Sequence, residues 1–276
     1  MLYLTQAMFY TAVMLLIYWL FLRNRPIYQF SRVYLLASAV LPLVIPFIEM
    51  PPAMQQQVQK VVPASFYLPE FTLNAAGKVA AIPLAISSFW YWYGIVALLF
   101  IASQLLNAFR LWKVVCESKK EKYGAYTLVT HSCYGPGSIG KYILFPEEEV
   151  NETILAHEQA HIRLHHTRDL IFLNVLQAVL WPNVLLFWIK REIKEVHEFQ
   201  ADALVNPDRE EYVQLLLNSV FNTRFVSVMH SFIVHPVKRR LMMLGKKGKG
   251  APAKAAIQVF VALAFSFVAQ QASRLA

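Results

Sequence analysis

Leu2 to Leu22 is an almost uninterrupted apolar run that stops at Arg23-Asn24-Arg25-Pro26, and a helix needs roughly 20 such residues to cross bilayer hydrocarbon. Two further runs follow. Val33 to Ile48 is preceded by Arg32 and ended by Glu49-Met50-Pro51-Pro52, because adjacent prolines cannot continue a helix. Ile82 to Leu106 opens on Phe89, Trp90, Tyr91, Trp92 and Tyr93, an aromatic belt of the kind found at membrane interfaces. The expected spans are about 2–22, 31–48 and 82–107. Composition favours lipid over a water-filled surround: 57% of residues are hydrophobic, 16% are charged and the mean hydropathy is +0.41. No basic stretch precedes the first run and no small-residue cleavage site follows it, so it reads as a retained anchor.

The net charge of +9 reflects topology more than nucleic-acid binding, since the basic residues flank apolar runs instead of interleaving with aromatics on a polar face. Arg110, Lys113, Lys119, Lys120 and Lys122 follow the third run, whereas Glu49, Lys60, Glu70 and Lys78 cancel within 49–81. Lysine and arginine excess marks the cytoplasmic side, so the N-terminus and the loop 49–81 are expected outside and the segment after residue 108 inside. Lys246, Lys247, Lys249 and Lys254 form a cationic linker before Ala255 to Ala269, a fourth apolar run. Cys116 and Cys133 form no CxxC pair and fall in that cytoplasmic part, so neither a disulfide nor a cysteine-ligated metal is expected.

Between the third and fourth runs, Ala125 to Thr130 and Tyr142 to Phe145 read as strands around the turn Tyr134-Gly135-Pro136-Gly137. Glu147-Glu148-Glu149 suits a helix first turn, with the helix running to about His165. That helix carries His157-Glu158-Gln159-Ala160-His161. Histidines four apart stand one turn apart on one face and can reach one metal, and Glu158 between them can accept a proton from bound water. A chance match is expected at roughly 1% from this composition. His165, His166 and Arg163 read instead as polar decoration of a cationic helix end.

A second helical pattern, starting near Pro182, contains Glu195-Val196-His197-Glu198-Phe199-Gln200-Ala201-Asp202. Glu198 and Asp202 share a face; Glu198 can complete a His2Glu catalytic site, and Asp202 can orient a ligand histidine. His197 is the alternative third ligand but has no aspartate one turn on. Glu192 and Glu195 read as a solvated acidic face balanced by Lys190, Arg191 and Lys194, and Lys238-Arg239-Arg240 as a solvated basic one. If Leu170 to Ile189 crossed the membrane, His161 and Glu198 would lie on opposite sides, so the segment 169–200 is expected to be a hairpin turning near Trp181-Pro182, packed in the domain core or dipping into the inner leaflet.

HEQAH with Asp169 eight residues on, Trp181-Pro182-Asn183, HEFQAD and the pattern of apolar runs together resemble the BlaR/MecR-type membrane metallopeptidases, relatives of the gluzincin group. The resemblance implies a mainly α membrane protein of about four transmembrane helices. A cytoplasmic α+β gluzincin-like zinc metallopeptidase domain is inserted between spans three and four. The expected divisions are 1–108 for three spans, 109–250 for the domain and 255–272 for the last span. It also implies zinc on His157, His161 and Glu198, Glu158 as the base, Asp202 and, more remotely, Asp169 as supports. The implied activity is endopeptidase cleavage of the chain itself or of a cytoplasmic transcriptional repressor in transmembrane signalling, at a bacterial inner membrane. The expected partners are lipid and protein, without direct nucleic acid; a homodimer is compatible. Sensing through the family's penicillin-binding domain is not expected, and Ser138-Ile139-Gly140-Lys141 reads as an accidental SxxK. The alternative is a catalytically silent signalling scaffold with a structural metal. A transporter is disfavoured because the spans hold no intramembrane charge pair.

Overall fold

The computed structural model describes residues 2–47, 83–130, 132, 135–146, 150–205, 212–214, 230–244 and 246. The loop 49–81, the run 255–272 and Cys133 lie outside the described residues.

Helices α1 (Leu2–Phe21) and α2 (Tyr28–Val44, followed by a 3-10 turn at Ile45–Phe47) form an antiparallel hairpin. Tyr3 Oη donates to the Leu43 carbonyl and Tyr34 Oη to that of Met14, both at 2.7 Å, tying each end. Helix α3 (Pro83–Glu117) continues without a break past residue 108, carrying Arg110 and Lys113 on the same rod as the apolar run. Among the described residues, these three helices are long and apolar enough to cross a membrane.

A four-stranded sheet follows, in the order β1 (Lys119–Tyr123), β2 (Tyr126–Thr130), β4 (Tyr142–Leu144), β3 (Gly137–Ile139). Its β1–β2 and β3–β4 pairs are antiparallel and β2–β4 is parallel. Both hairpins use two-residue turns whose first position is a glycine at positive φ, Gly124 (60°) and Gly140 (58°), which matches the twist of the strands. β1 and β3 escaped the sequence reading for a common reason: they are edge strands, the first a fully exposed Lys-Lys-Glu-Lys-Tyr without alternation. Ser138 therefore belongs to a strand.

The HExxH helix α4 (Glu152–Arg163) starts later than Glu147, because Asn151 is its N-cap: its Oδ1 accepts from the amides of Thr153 (2.9 Å) and Ile154 (3.2 Å). It stops at Arg163, since His165 adopts the left-handed conformation (φ 59°) and turns the chain into α5 (His166–Val179). Helix α6 (Leu185–Val205) begins three residues after Pro182, capped by Asn183, whose Oδ1 accepts from Leu185 N at 3.3 Å. The chain thus turns at Trp181–Pro182, as the ligand geometry requires. Helix α7 (His230–Leu244) packs on α6.

The first two apolar helices share one core with α5 and α6. Met14, Tyr18, Leu22 and Leu35 of the first hairpin pack with Leu173 of α5 and Leu186, Ile189 and Ile193 of α6. A smaller core under the sheet joins Leu128, Ile143 and Phe145 to Leu155 of α4, and so fixes the helix against β3.

Candidate metal centre

Helix α4 and α6 cross so that His157, His161 and Glu198 meet. His157 Nε2 and His161 Nε2 are 3.1 Å apart, and the Glu198 carboxylate lies 3.4 Å from the first and 3.6 Å from the second. A tetrahedral site with metal–ligand bonds of about 2.0–2.1 Å has edges of roughly 3.3–3.5 Å, so the trio is spaced close to what a zinc-sized ion needs. Two imidazoles and one carboxylate are also the donor set that leaves a fourth position open.

The outer nitrogens of both histidines are engaged. His157 Nδ1 faces Asp202 Oδ1 at 3.3 Å and the Tyr212 hydroxyl at 3.1 Å, which presents its Nε2 to the centre. His161 Nδ1 lies 2.8 Å from His166 Nδ1, and His166 Nε2 lies 3.1 Å from Gln200 Oε1. A carbonyl oxygen only accepts, so His166 donates from Nε2, accepts at Nδ1 and holds the His161 proton on Nδ1. His161 Nε2 is thereby left as a lone-pair donor to the centre.

His166 is buried and not part of a solvated helix end. Its ring stacks on that of His197 at 3.9 Å, and His197 Nε2 bonds Asp169 Oδ2 at 2.9 Å. Asp169 also accepts from Arg32 Nε of α2 at 2.6 Å, so it braces His197 and reaches neither His157 nor His161 directly. His197, the alternative ligand, turns its Nε2 to Asp169.

Glu192, Glu195 and Arg239, expected in solvent, are buried, whereas Arg191, Lys194 and Lys238 are exposed. Arg239 and Arg23 pair with Glu192 at 3.0 and 3.1 Å, and Arg239 is 3.8 Å from Glu195. Arg240 donates to Glu198 Oε2 at 2.9 Å, to both Asp202 oxygens and to Tyr212 Oη. Sequence reasoning missed Arg240 and Tyr212 because they come from segments whose approach to α6 no local pattern encodes. His197 and Gln200, three apart on one helix face, were the only available signal for the His166 stack.

Burial opposes charge on every member, and hydrogen bonds decide which stay charged. For His157 burial lowers the pKa, but bonds to Asp202 and Glu198 outweigh it and lift the group to about 9. Burial holds His161 at about 4. Glu198 is pulled down to about 2 against burial by His157 and Arg240. Without a metal, one proton thus sits on His157 between two neighbours that favour it. Glu158 is buried on the same helix face; burial raises its carboxyl pKa, partly offset by His157 and by a bond to Ser138. It lines a cavity of about 270 Å³ with Gly137 and Ser138 of β3, His161, Lys194 and Glu198.

Histidines one turn apart on one helix, with a carboxylate supplied by a second, define the class of HExxH metallopeptidase-type sites. Residues 136–244, which hold all of it, match the family described as BlaR1 peptidase M56. The chain is also similar to regulatory protein BlaR1 of Staphylococcus aureus, 30% identical over 118 residues that cover 40% of this chain. That match spans about a fifth of the relative's length, 19%.

Proposed function

We propose that the chain is a membrane-embedded zinc endopeptidase in which His157, His161 and Glu198 hold the metal and Glu158 is the general base. The observation that carries this reading is the convergence of three ligand atoms at tetrahedral spacing beside a buried, non-ligating glutamate on an open cavity. Bound zinc would polarise the scissile carbonyl and acidify a water in the fourth position. Asp202, Tyr212 and the His166–Gln200 pair fix the two imidazoles in the tautomers that ligation needs. Arg240 keeps Glu198 and Asp202 ionised. Glu158, its carboxyl pKa raised by burial, takes the water proton and passes it to the leaving amine without a covalent intermediate. The outer edge of β3 lines the same cavity, which suits a substrate bound in extended form by main-chain hydrogen bonds. The substrate class is a peptide bond in the chain itself or in a cytoplasmic regulator such as a repressor. The setting is a bacterial inner membrane, with the N-terminus outside and the site at the cytoplasmic face.

The purified chain should cleave itself or an added regulator, stop when zinc is chelated and resume when zinc alone is restored. His161→Ala should bind no stoichiometric zinc and show no cleavage. Metal-independent cleavage, or a full zinc complement in that variant, would sink the ligand assignment; a metal-loaded protein that cleaves nothing would favour the scaffold.

Metal uptake also has a proton signature. His157, at about 9 in the metal-free fold, must lose its proton to ligate. At pH 7 the uptake of zinc should release close to one proton, and the apparent affinity should rise by about tenfold per pH unit and level off near pH 9. Calorimetry in buffers of different ionisation enthalpy reads the proton count; a value near zero at pH 7 would mean that His157 is already neutral.

A further inference from the structure

We propose that α5 and α6 form a re-entrant hairpin whose tip, Trp181-Pro182-Asn183, lies near the bilayer midplane and whose outer face is covered by lipid acyl chains. A paired ladder to α1 sets the depth. Asn183 Nδ2 donates to Thr11 Oγ1 at 3.1 Å, Trp188 packs on Trp19 at 6.2 Å, and Glu192 meets Arg23 at 3.1 Å. Helices α1 and α6 therefore run side by side in the same direction, and each contact along α6 is matched further along α1. Thr11 lies ten residues before the end of α1, about 15 Å along a helix, which is half of a hydrocarbon core about 30 Å thick. Helix α3 also reaches the tip: Tyr93 donates to the Val179 carbonyl and packs on Trp181 at 5.8 Å.

Length excludes a crossing by α5, and the charges that begin at Lys190 and Arg191 interrupt α6. Helix α5 has 14 residues, about 21 Å, too short to span. The surface residues change character where headgroups would lie: outward from the tip, exposed Val184, Phe187 and Trp188 give way to Arg191 and Lys194 on α6, and Val179 and Val175 give way to Arg168 on α5. That exposed apolar band is continuous in depth with the exposed face of α3, which lipid must cover if α3 spans. Most backbone groups of the turn are bonded, as a hydrocarbon medium demands, although Trp181 Nε1 has no partner among the described residues. Asn183 N donates to Leu180 O, Val184 N to Pro182 O and Leu186 N to Asn183 O, the Val179 carbonyl accepts from Tyr93, and Pro182 has no amide hydrogen to satisfy. The hairpin thereby returns Glu198 to the face where His157 and His161 lie while anchoring the site in the membrane. This inference is independent of whether the chain is a peptidase.

The test uses the full chain in phosphatidylcholine–phosphatidylglycerol vesicles, with both native cysteines replaced by serine and single nitroxide labels at Val184→Cys and Arg191→Cys. Reference labels sit at Leu98→Cys on α3 and Glu121→Cys on β1. The expected result is that the label at 184 collides with oxygen several-fold more than with a neutral nickel chelate, as at 98, whereas the label at 191 lies between 98 and 121. Nickel access at 184 equal to that at 121 would overturn the proposal, as would shielding from both reagents with dipolar broadening, the sign of a second copy. The unmodified chain gives a second measurement: a lipid with a photoactivatable group at its acyl terminus should label the segment 175–188. Adducts confined to 2–47 and 83–112 would overturn the proposal equally.

Discussion

Glu158→Gln is expected to keep its zinc and lose about 10²–10⁴-fold in cleavage rate, the usual contribution of a positioned general base. The side chain is 8% exposed, lies between the two histidines on their helix and stands outside the trio whose ligand atoms converge. Glutamine has nearly the same shape and can still meet the Ser138 hydroxyl, so packing on the sheet is preserved while the proton acceptor is removed. The loss should fall on kcat, with KM little changed, because Glu158 serves the reacting water and not the ground-state peptide. The pH profile of the parent chain adds a sign. Burial raises the Glu158 pKa, and only the ionised carboxylate is a base. Activity should therefore fall, as pH is lowered, at a pH above the ordinary carboxylate range. Parallel measurement of zinc content, kcat and KM decides the matter: activity within tenfold of the parent would remove Glu158 from the mechanism, and loss of zinc would make it a ligand.

The second large effect concerns stability. Glu192→Leu should destabilise the fold by about 3–5 kcal/mol, because it strips the partner from a buried charge. Glu192 is 3% exposed and accepts from Tyr18, Arg23 and Arg239, and Arg239 is itself 4% exposed. After the substitution Arg239 retains Glu195 at 3.8 Å, outside hydrogen-bond range. Adding Arg239→Met should recover most of the loss, since a buried pair replaced on both sides by apolar groups is often neutral. Helix α7 also carries Arg240, so the single variant should weaken zinc binding through Glu198 and Asp202, and the double variant should restore it. Thermal unfolding in detergent with a zinc-affinity titration checks both readings. An unchanged midpoint in Glu192→Leu would mean that the cluster contributes nothing to holding α1, α6 and α7 together.

Parts of this molecule were legible because they depend on short-range periodicity. The apolar runs that became α1, α2 and α3 needed only length and hydropathy, since lipid solvation is a property of each residue. His157, Glu158 and His161 were legible because a helix of fixed pitch puts positions i and i+4 on one face, and Glu198 with Asp202 for the same reason. The turn at Trp181–Pro182 followed from requiring His161 and Glu198 to share an ion.

What escaped the sequence were pairings between distant elements. Glu192, Glu195, Arg239 and Arg240 look like solvated charges in any local window; only the packing of α6 against α1 and α7 takes them out of water and makes them partners. His166 looked like surface decoration, because its role depends on the left-handed turn at His165 that swings it back onto His161. Asp169 was expected near a ligand histidine and instead joins Arg32 of a membrane helix to His197. Sequence by itself determined which residues could hold a metal and which segments prefer lipid, because both follow from residue chemistry and helical pitch. Only the tertiary structure decided what stands behind those residues and how the hairpin packs on α1, because burial and long-range contact belong to the packed chain and not to any stretch of it.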